Sequence, residues 1–227
     1  MRGVHRDLYR PRCGGIYGKE AEEVKKYELT SETKVFLGKT LYRIKALVQF
    51  GNVNAGDLGG WIEKEENLSQ YGNAWVSGNA EVSGNARVYG NAVVYGNAVV
   101  SGNARVYGNA VVYGNAVVDG NAWVSGNAEV YGNAEVSGNA RVSGNAEVCK
   151  IGTVFWIGAI GSRNGTTTFF RCKDGKIYVS CGCFLGDLEE FSDKVKQTHG
   201  DNEHGRVYML AIEMAKARIV EEKNEVH

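Results

Sequence analysis

Tyr71-Gly-Asn-Ala-Trp-Val-Ser-Gly-Asn-Ala-Glu-Val-Ser-Gly-Asn-Ala-Arg-Val88 opens a run in which the unit Gly-Asn-Ala-x-Val-x recurs thirteen times without insertion, its glycines at every sixth position from Gly72 to Gly144. Self-similarity at a short fixed period marks a repeating backbone rather than a single globular core. Strand side chains alternate, so an inward Val leaves both of its neighbours pointing outward. Ala is small enough to sit where the chain turns in. Gly and Asn suit a corner that bends sharply or needs positive φ. The pattern predicts short parallel strands stacked about 4.8 Å apart.

The order Val-x-Gly-Asn-Ala-x resembles the hexapeptide-repeat superfamily, although glycine stands one place later than is usual there. The resemblance implies a left-handed parallel β-helix of triangular section, with three short strands or about 18 residues per coil and so a little over four coils from Tyr71 to Cys149, a handedness otherwise rare in crossover connections. Many members of that superfamily are acyltransferases that use a His as general base, often near a loop inserted between coils. Between Tyr71 and Cys149 this chain has no His and no inserted loop; its histidines are His5, His199, His204 and His227. The carbonic-anhydrase variant would need three metal-binding His, and the threonine ladders of ice-binding β-helices are missing. The expectation is a non-enzymatic protein with no catalytic residues, no metal and no cofactor.

An 18-residue period stacks the outward residues into columns. On the first face Trp75, Val93, Val111, Glu129 and Glu147 precede the inward valines, and Ser77, Tyr95, Tyr113, Tyr131 and Cys149 follow them. Trp75, Val93, Tyr95, Val111 and Tyr113 would form one apolar patch, which predicts self-association with cyclic symmetry. The bland alternative is an ordinary wet face built of good strand formers. The second face carries Glu81, Val99, Val117 and Glu135. On the third, Arg87 stands over Arg105, with Tyr89, Tyr107 and Trp123 beside them. Arginines with aromatics suit an anionic or planar ligand such as a nucleotide; arginines splayed into solvent are the competing and simpler reading.

The flanks read differently. Residues 1–26 form an irregular arm with scattered arginines (Arg2, Arg6, Arg10, Arg12) and a short helical stretch over 19–26. Residues 27–70 read as an N-terminal β cap, with a hairpin around Gly38-Lys39, a close backbone approach at Gly59-Gly60 and a buried edge at Trp61 and Ile62. Residues 71–149 are the β-helix. Residues 150–227 form a small α+β domain: three strands, a hairpin at Lys173-Asp174-Gly175, and two helices. The first helix is capped by Asp187 with Glu190; the second runs over about 206–222. Hairpin geometry makes Cys172 and Cys181 neighbours, and with Cys183 and His199 they are a zinc candidate set against the default of buried free thiols. The turn Ser162-Arg163-Asn164 is a second candidate anion site through its backbone N–H groups.

Lys+Arg and Asp+Glu are 26 each, so no net charge draws the chain to nucleic acid or membrane. Apolar runs are too short to span a bilayer and the N-terminus lacks an apolar signal core, which together with five unpatterned cysteines predicts a cytoplasmic protein. Leu41-Tyr-Arg-Ile-Lys-Ala-Leu47, Gly56-Asp-Leu-Gly-Gly-Trp61 and Asn67-Leu-Ser-Gln70 resemble the segment leading into the β-helix of uncharacterised phage and prophage proteins. They also resemble bacterial YdcK-like proteins. Gly161 to Phe170, Val179 to Phe184, Leu188 to Phe191 and Thr198 to Asp201 resemble a C-terminal domain of the same phage proteins. The resemblance carries no established chemistry. It implies a host-cytoplasmic phage protein whose rod is scaffold, oligomerisation stem and binding surface. The alternatives are a counter-defence protein that sequesters an anionic small molecule or nucleotide and, third, an acyltransferase whose base, such as His199, comes from a neighbouring subunit. Partners are then a second copy, an anionic small molecule or a host protein.

Overall fold

The structure is a computed structural model that describes residues 24–150, 152–172 and 174–219. The chain is mainly β. A hairpin of β1 (Tyr27–Phe36) and β2 (Lys39–Ala46) leads into β3 (Leu58–Ile62). Thirteen two-residue strands follow, β4 (Trp75–Val76) to β16 (Glu147–Val148), one from each unit of the repeat. They pair in parallel with the strand three units away and so form a β-solenoid of three faces and about five turns. Trp75, Val93, Val111, Glu129 and Glu147 lie in register on the first face. Arg87, Arg105, Trp123 and Arg141 do so on the third. Every Val and Ala predicted to point inward, from Ala74 to Val148, is no more than 1% exposed. With each Val removed from water worth about 1.5–3 kcal/mol, this narrow interior supplies most of the rod's stability.

Asparagine adds a device that the corner reading did not include. Its backbone N–H bonds the Gly carbonyl one coil on, as in Asn103 to Gly120 at 2.7 Å. Its side chain bonds the next Asn, so that Asn73, Asn91, Asn109, Asn127 and Asn145 form a continuous ladder at 3.0–3.2 Å. Two further ladders start at Asn79 and Asn85. Such ladders hold identical side chains in register up a stack.

Coiling begins before the repeat. Ile62 pairs with Val82 and Leu68 bridges to Val88, so the last part of the cap is already the first turn. Ile62 and Val82 are 20 positions apart, against 18 for Val82 and Val100, so this turn carries two extra residues. It lacks the repeat at its corner, and the fully buried Asn67 takes over, donating to the carbonyls of Gly84 (3.1 Å) and Ala86 (2.8 Å). The expected close approach at Gly59-Gly60 is present: a Cβ at either position would collide with Ile44, Trp75 or the Ala80 carbonyl.

The expected arm reaches into the cap. Residues 1–23, with Cys13 and the arginines of the arm, lie outside the described residues, but Lys25 and Lys26 do not continue a helix. Lys26 is buried, 3% exposed, and its ammonium donates to the carbonyls of Ala74 (2.9 Å) and Gly72 (3.4 Å) while lying 4.9 Å from the Phe50 ring. It thus satisfies the carbonyls at the open edge of the first face, where an unpaired strand would invite association. Burial lowers its pKa from the ordinary 10.5 to about 8. In the folded protein the charged form is the penalised one. Between pH 8 and 10.5 the unfolded chain therefore holds a proton that the folded one has lost, and stability rises with pH. Urea unfolding of wild type and Lys26→Met should show the difference shifting toward wild type by roughly 2–3 kcal/mol across that window. A pH-independent difference would mean that Lys26 is not buried as a cation.

After the rod, β17 (Val154–Ile160), β18 (Gly165–Arg171), β19 (Ile177–Cys181) and β20 (Phe184–Asp187) make an antiparallel sheet in chain order. The sequence reading had three strands here; positive φ at Gly182 folds the third into a hairpin and yields a fourth. Helices α1 (Leu188–His199) and α2 (Glu203–Arg218) follow. Asp187 and Glu190 form the expected capping box, at 2.9 and 3.1 Å. The second helix starts three residues earlier than expected because the Asn202 side chain accepts from Gly205 N and caps it.

The sheet is buried on both faces. Phe169 packs with Phe191, Val195, Tyr208 and Ile212 of the helices, while its neighbour Phe170 joins the interior of the rod with Cys172. Thr168 Oγ1 accepts from Arg141 N at 2.9 Å, and Cys172 bridges to Ala146. The α+β region therefore closes one end of the solenoid, as the N-terminal hairpin closes the other. No helix among the described residues is long and apolar enough to cross a membrane.

Candidate functional site

The third face is where the sequence-predicted ligand residues meet. Arg87 and Arg105 occupy adjacent rungs, since their Cα atoms are register partners. Both are exposed, and no carboxylate pairs with either among the described residues. Tyr89 and Tyr107 follow the inward valines of the same rungs, and their rings stack at 5.0 Å between centroids and 2° between planes. Tyr107 meets the edge of Trp123 at 6.4 Å. Trp123 lies between two guanidiniums, Arg105 at 5.1 Å and Arg141 at 4.5 Å from its ring. Each such contact is worth about 0.5–1 kcal/mol at an exposed site. Trp123 thus separates the two lower arginines by a rung and stacks against both, whereas Arg87 stands directly over Arg105 and faces no such ring among the described residues.

A groove of about 570 Å³ opens at the upper end of this face. Arg87, Arg105 and Tyr89 line one side, with Glu65 and Glu66 of the 3-10 turn Glu65–Asn67 and the segment Leu68 to Tyr71 on the other. Glu65 is paired with Lys25 at 2.8 Å. Burial raises the pKa of Tyr89, against the opposing pull of Arg105 and Arg87. The tyrosine is therefore a neutral ring at ordinary pH. The sequence reading missed Ser69, Glu65 and Glu66 because they lie in the irregular first turn, where no period assigns a face.

The candidates in the turn between β17 and β18 lie elsewhere. Ser162, Arg163 and Asn164 are all exposed, and Asn164 N donates to Gly161 O at 3.1 Å in a tight turn with Asn164 at φ 47°. They belong to the opposite end of the rod from the arginine groove and line none of the described grooves. The structure does not bring the two candidate sets together.

The apolar patch of the first face is smaller than expected. Trp75 is only 6% exposed, because Phe50 (5.4 Å) and Tyr27 (6.4 Å) of the cap pack edge-on against it. It is a core residue and drops out of the open face. Val93, Tyr95, Val111 and Tyr113 remain at the surface. Tyr95, Tyr113 and Tyr131 stack at 4.9 and 5.0 Å. The column ends on a hydrogen bond of 2.5 Å from Tyr131 to Glu147, which raises the tyrosine pKa.

The cysteines do not converge as the hairpin reading supposed. Cys181 pairs with Thr167 across the sheet, whereas Cys172 sits at the other end of that hairpin, its N–H bonded to Lys176 O at 3.0 Å. Register separates them by the length of the strand. Cys172 is buried, which pushes its thiol up to about 12. No group of three or more His, Cys, Asp or Glu among the described residues has metal-binding geometry. His199 ends α1, with its ring 5.7 Å from those of His204 and Tyr208, on the side of the sheet away from the rod.

A sequence model described as the YdcK Beta solenoid repeat matches residues 80–96, 86–102, 100–114 and 104–120. The matched segments fall within the middle coils, and with the solenoid itself they support a YdcK-like repeat protein. No curated protein matches the chain.

Proposed function

We propose that this YdcK-like repeat protein is a non-catalytic scaffold of a phage or prophage, acting in the host cytoplasm, whose rod is both an oligomerisation stem and a binding surface. The phage assignment is supported by the resemblance of the two end segments. The observation that carries the scaffold reading is the division of the rod. Its interior is sealed Val and Ala with both ends closed by the chain itself, so all variation is on the outer faces. Val93 and Val111 pair in register beside the tyrosine stack, and a flat, ordered face of this kind favours association with a second copy. Val93→Lys combined with Val111→Lys should give a smaller species than wild type in sedimentation velocity. An unchanged mass rejects self-association through this face.

Arg87 and Arg105, which have no carboxylate partner among the described residues and lie at an open groove, favour a second reading: a binder that sequesters an anionic small molecule or nucleotide. An acyltransferase finds less support, since a base such as His199 would have to come from another subunit.

A further inference from the structure

The tyrosine stack of the third face is two rings, Tyr89 and Tyr107, with serine at the next position of the column on either side, Ser125 below and Ser69 above. Leu68 bridges to Val88, so the residue that stands over Tyr89 is Ser69. Ser69 N bonds Val88 O at 2.9 Å, which keeps the rung in place, while its hydroxyl accepts from Tyr71 N at 3.0 Å and puts no ring at this position of the column. Below, Tyr107 covers one face of the Tyr89 ring; above, no ring of the described residues covers the other. The groove opens at this step. Rungs of this column repeat at 5.0 Å, within the 4.5–7 Å over which aromatic rings stack well.

The charges around the step are divided. Arg87 and Arg105 stand on the rod side, and the 3-10 turn presents Glu65, tied to Lys25, and Glu66. A simple polyanion would meet the glutamates unfavourably. A molecule with an anionic end, a flat ring and hydrogen-bond donors elsewhere meets all three features. The geometry points to a purine mononucleotide, its base stacked on Tyr89 in the step left by Ser69 and its phosphate held by Arg87 and Arg105. Guanidinium forks suit phosphate oxygens, and the groove volume is within the range of small-molecule sites. Glu66 lines the same groove and would accept from ribose hydroxyls. The inference deepens the anion-binder reading and rests on it.

Calorimetric titration of the whole protein with AMP, adenosine and inorganic phosphate tests it. AMP should bind at least about tenfold more tightly than either fragment, because stacking and phosphate contacts add in one molecule. Ser69→Tyr should cost at least about tenfold in AMP affinity, since it fills the step, while the thermal midpoint stays or rises. Arg87→Gln, an exposed change that keeps the fold, should cost a similar factor. AMP binding untouched by Ser69→Tyr would overturn the stacking site and leave the anion-binder reading standing. Phosphate binding as tightly as AMP would do the same. Absence of binding by both AMP and phosphate to wild type would overturn both.

Discussion

Gly102→Ala is expected to destabilise the protein by about 3 kcal/mol or more, although it adds a single methyl group at an exposed corner. Two effects combine there. Gly102 has φ 66°, a left-handed conformation that costs an L-residue about 1–2 kcal/mol. A Cβ would also lie 2.9 Å from both N and O of Gly120 in the next coil, tighter than real Cβ contacts allow. The coils cannot part to make room, because Ser101 N to Val118 O (2.9 Å) and Asn103 N to Gly120 O (2.7 Å) tie them on both sides. Gly38→Ala separates the terms. Gly38 has φ 74° in the β1–β2 turn but nothing within 4 Å of the added carbon, so it should cost only about 1–2 kcal/mol. Urea unfolding of both variants measures the gap. Equal losses would mean that the close approach of coils contributes nothing, and that glycine is present for its φ alone.

Phe170→Ala and Phe169→Ala should each cost about 3–5 kcal/mol, yet fail in different places. Both side chains are fully buried, and they are adjacent in sequence. Phe170 belongs to the rod interior, Phe169 to the helix layer. Loss of Phe170 loosens the lid over the last coil, where Arg141 is tied to Thr168 of β18 and Ala146 to Cys172 just beyond it. It should raise amide exchange in Arg141 to Val148 and promote aggregation through the uncovered strand edge. Loss of Phe169 should raise exchange in α1 and α2 and leave the rod protected. Hydrogen-exchange mass spectrometry resolves the two patterns. The same pattern from both variants would show that sheet, helices and rod end unfold as one unit.

Much of the rod was legible before any coordinates. With three units to a coil, as the resemblance implies, the columns Val93 over Val111 and Arg87 over Arg105 follow from counting, and the pairing confirms them. The helices were legible from their caps and apolar stripes, because those signals are local. The misreadings concentrate where the period stops. Trp75 occupies an outward position of the pattern but is core, because Phe50 and Tyr27 from outside the repeat fold over it. Cys172 and Cys181 looked like neighbours until register placed them at opposite ends of a hairpin.

By itself, then, the sequence determined the parallel rod, its inward Val and Ala and the register of its outer columns. Each unit meets copies of itself, so one local rule applied thirteen times specifies every contact. Only the tertiary structure decided what covers the ends: Lys26 on the first-face edge, Asn67 at the irregular corner, Phe170 under the last coil and the step left open above Tyr89 by Ser69. Those contacts join segments that share no period and lie far apart in the chain. Their partners are set by how two unlike surfaces fit, which no repeat encodes.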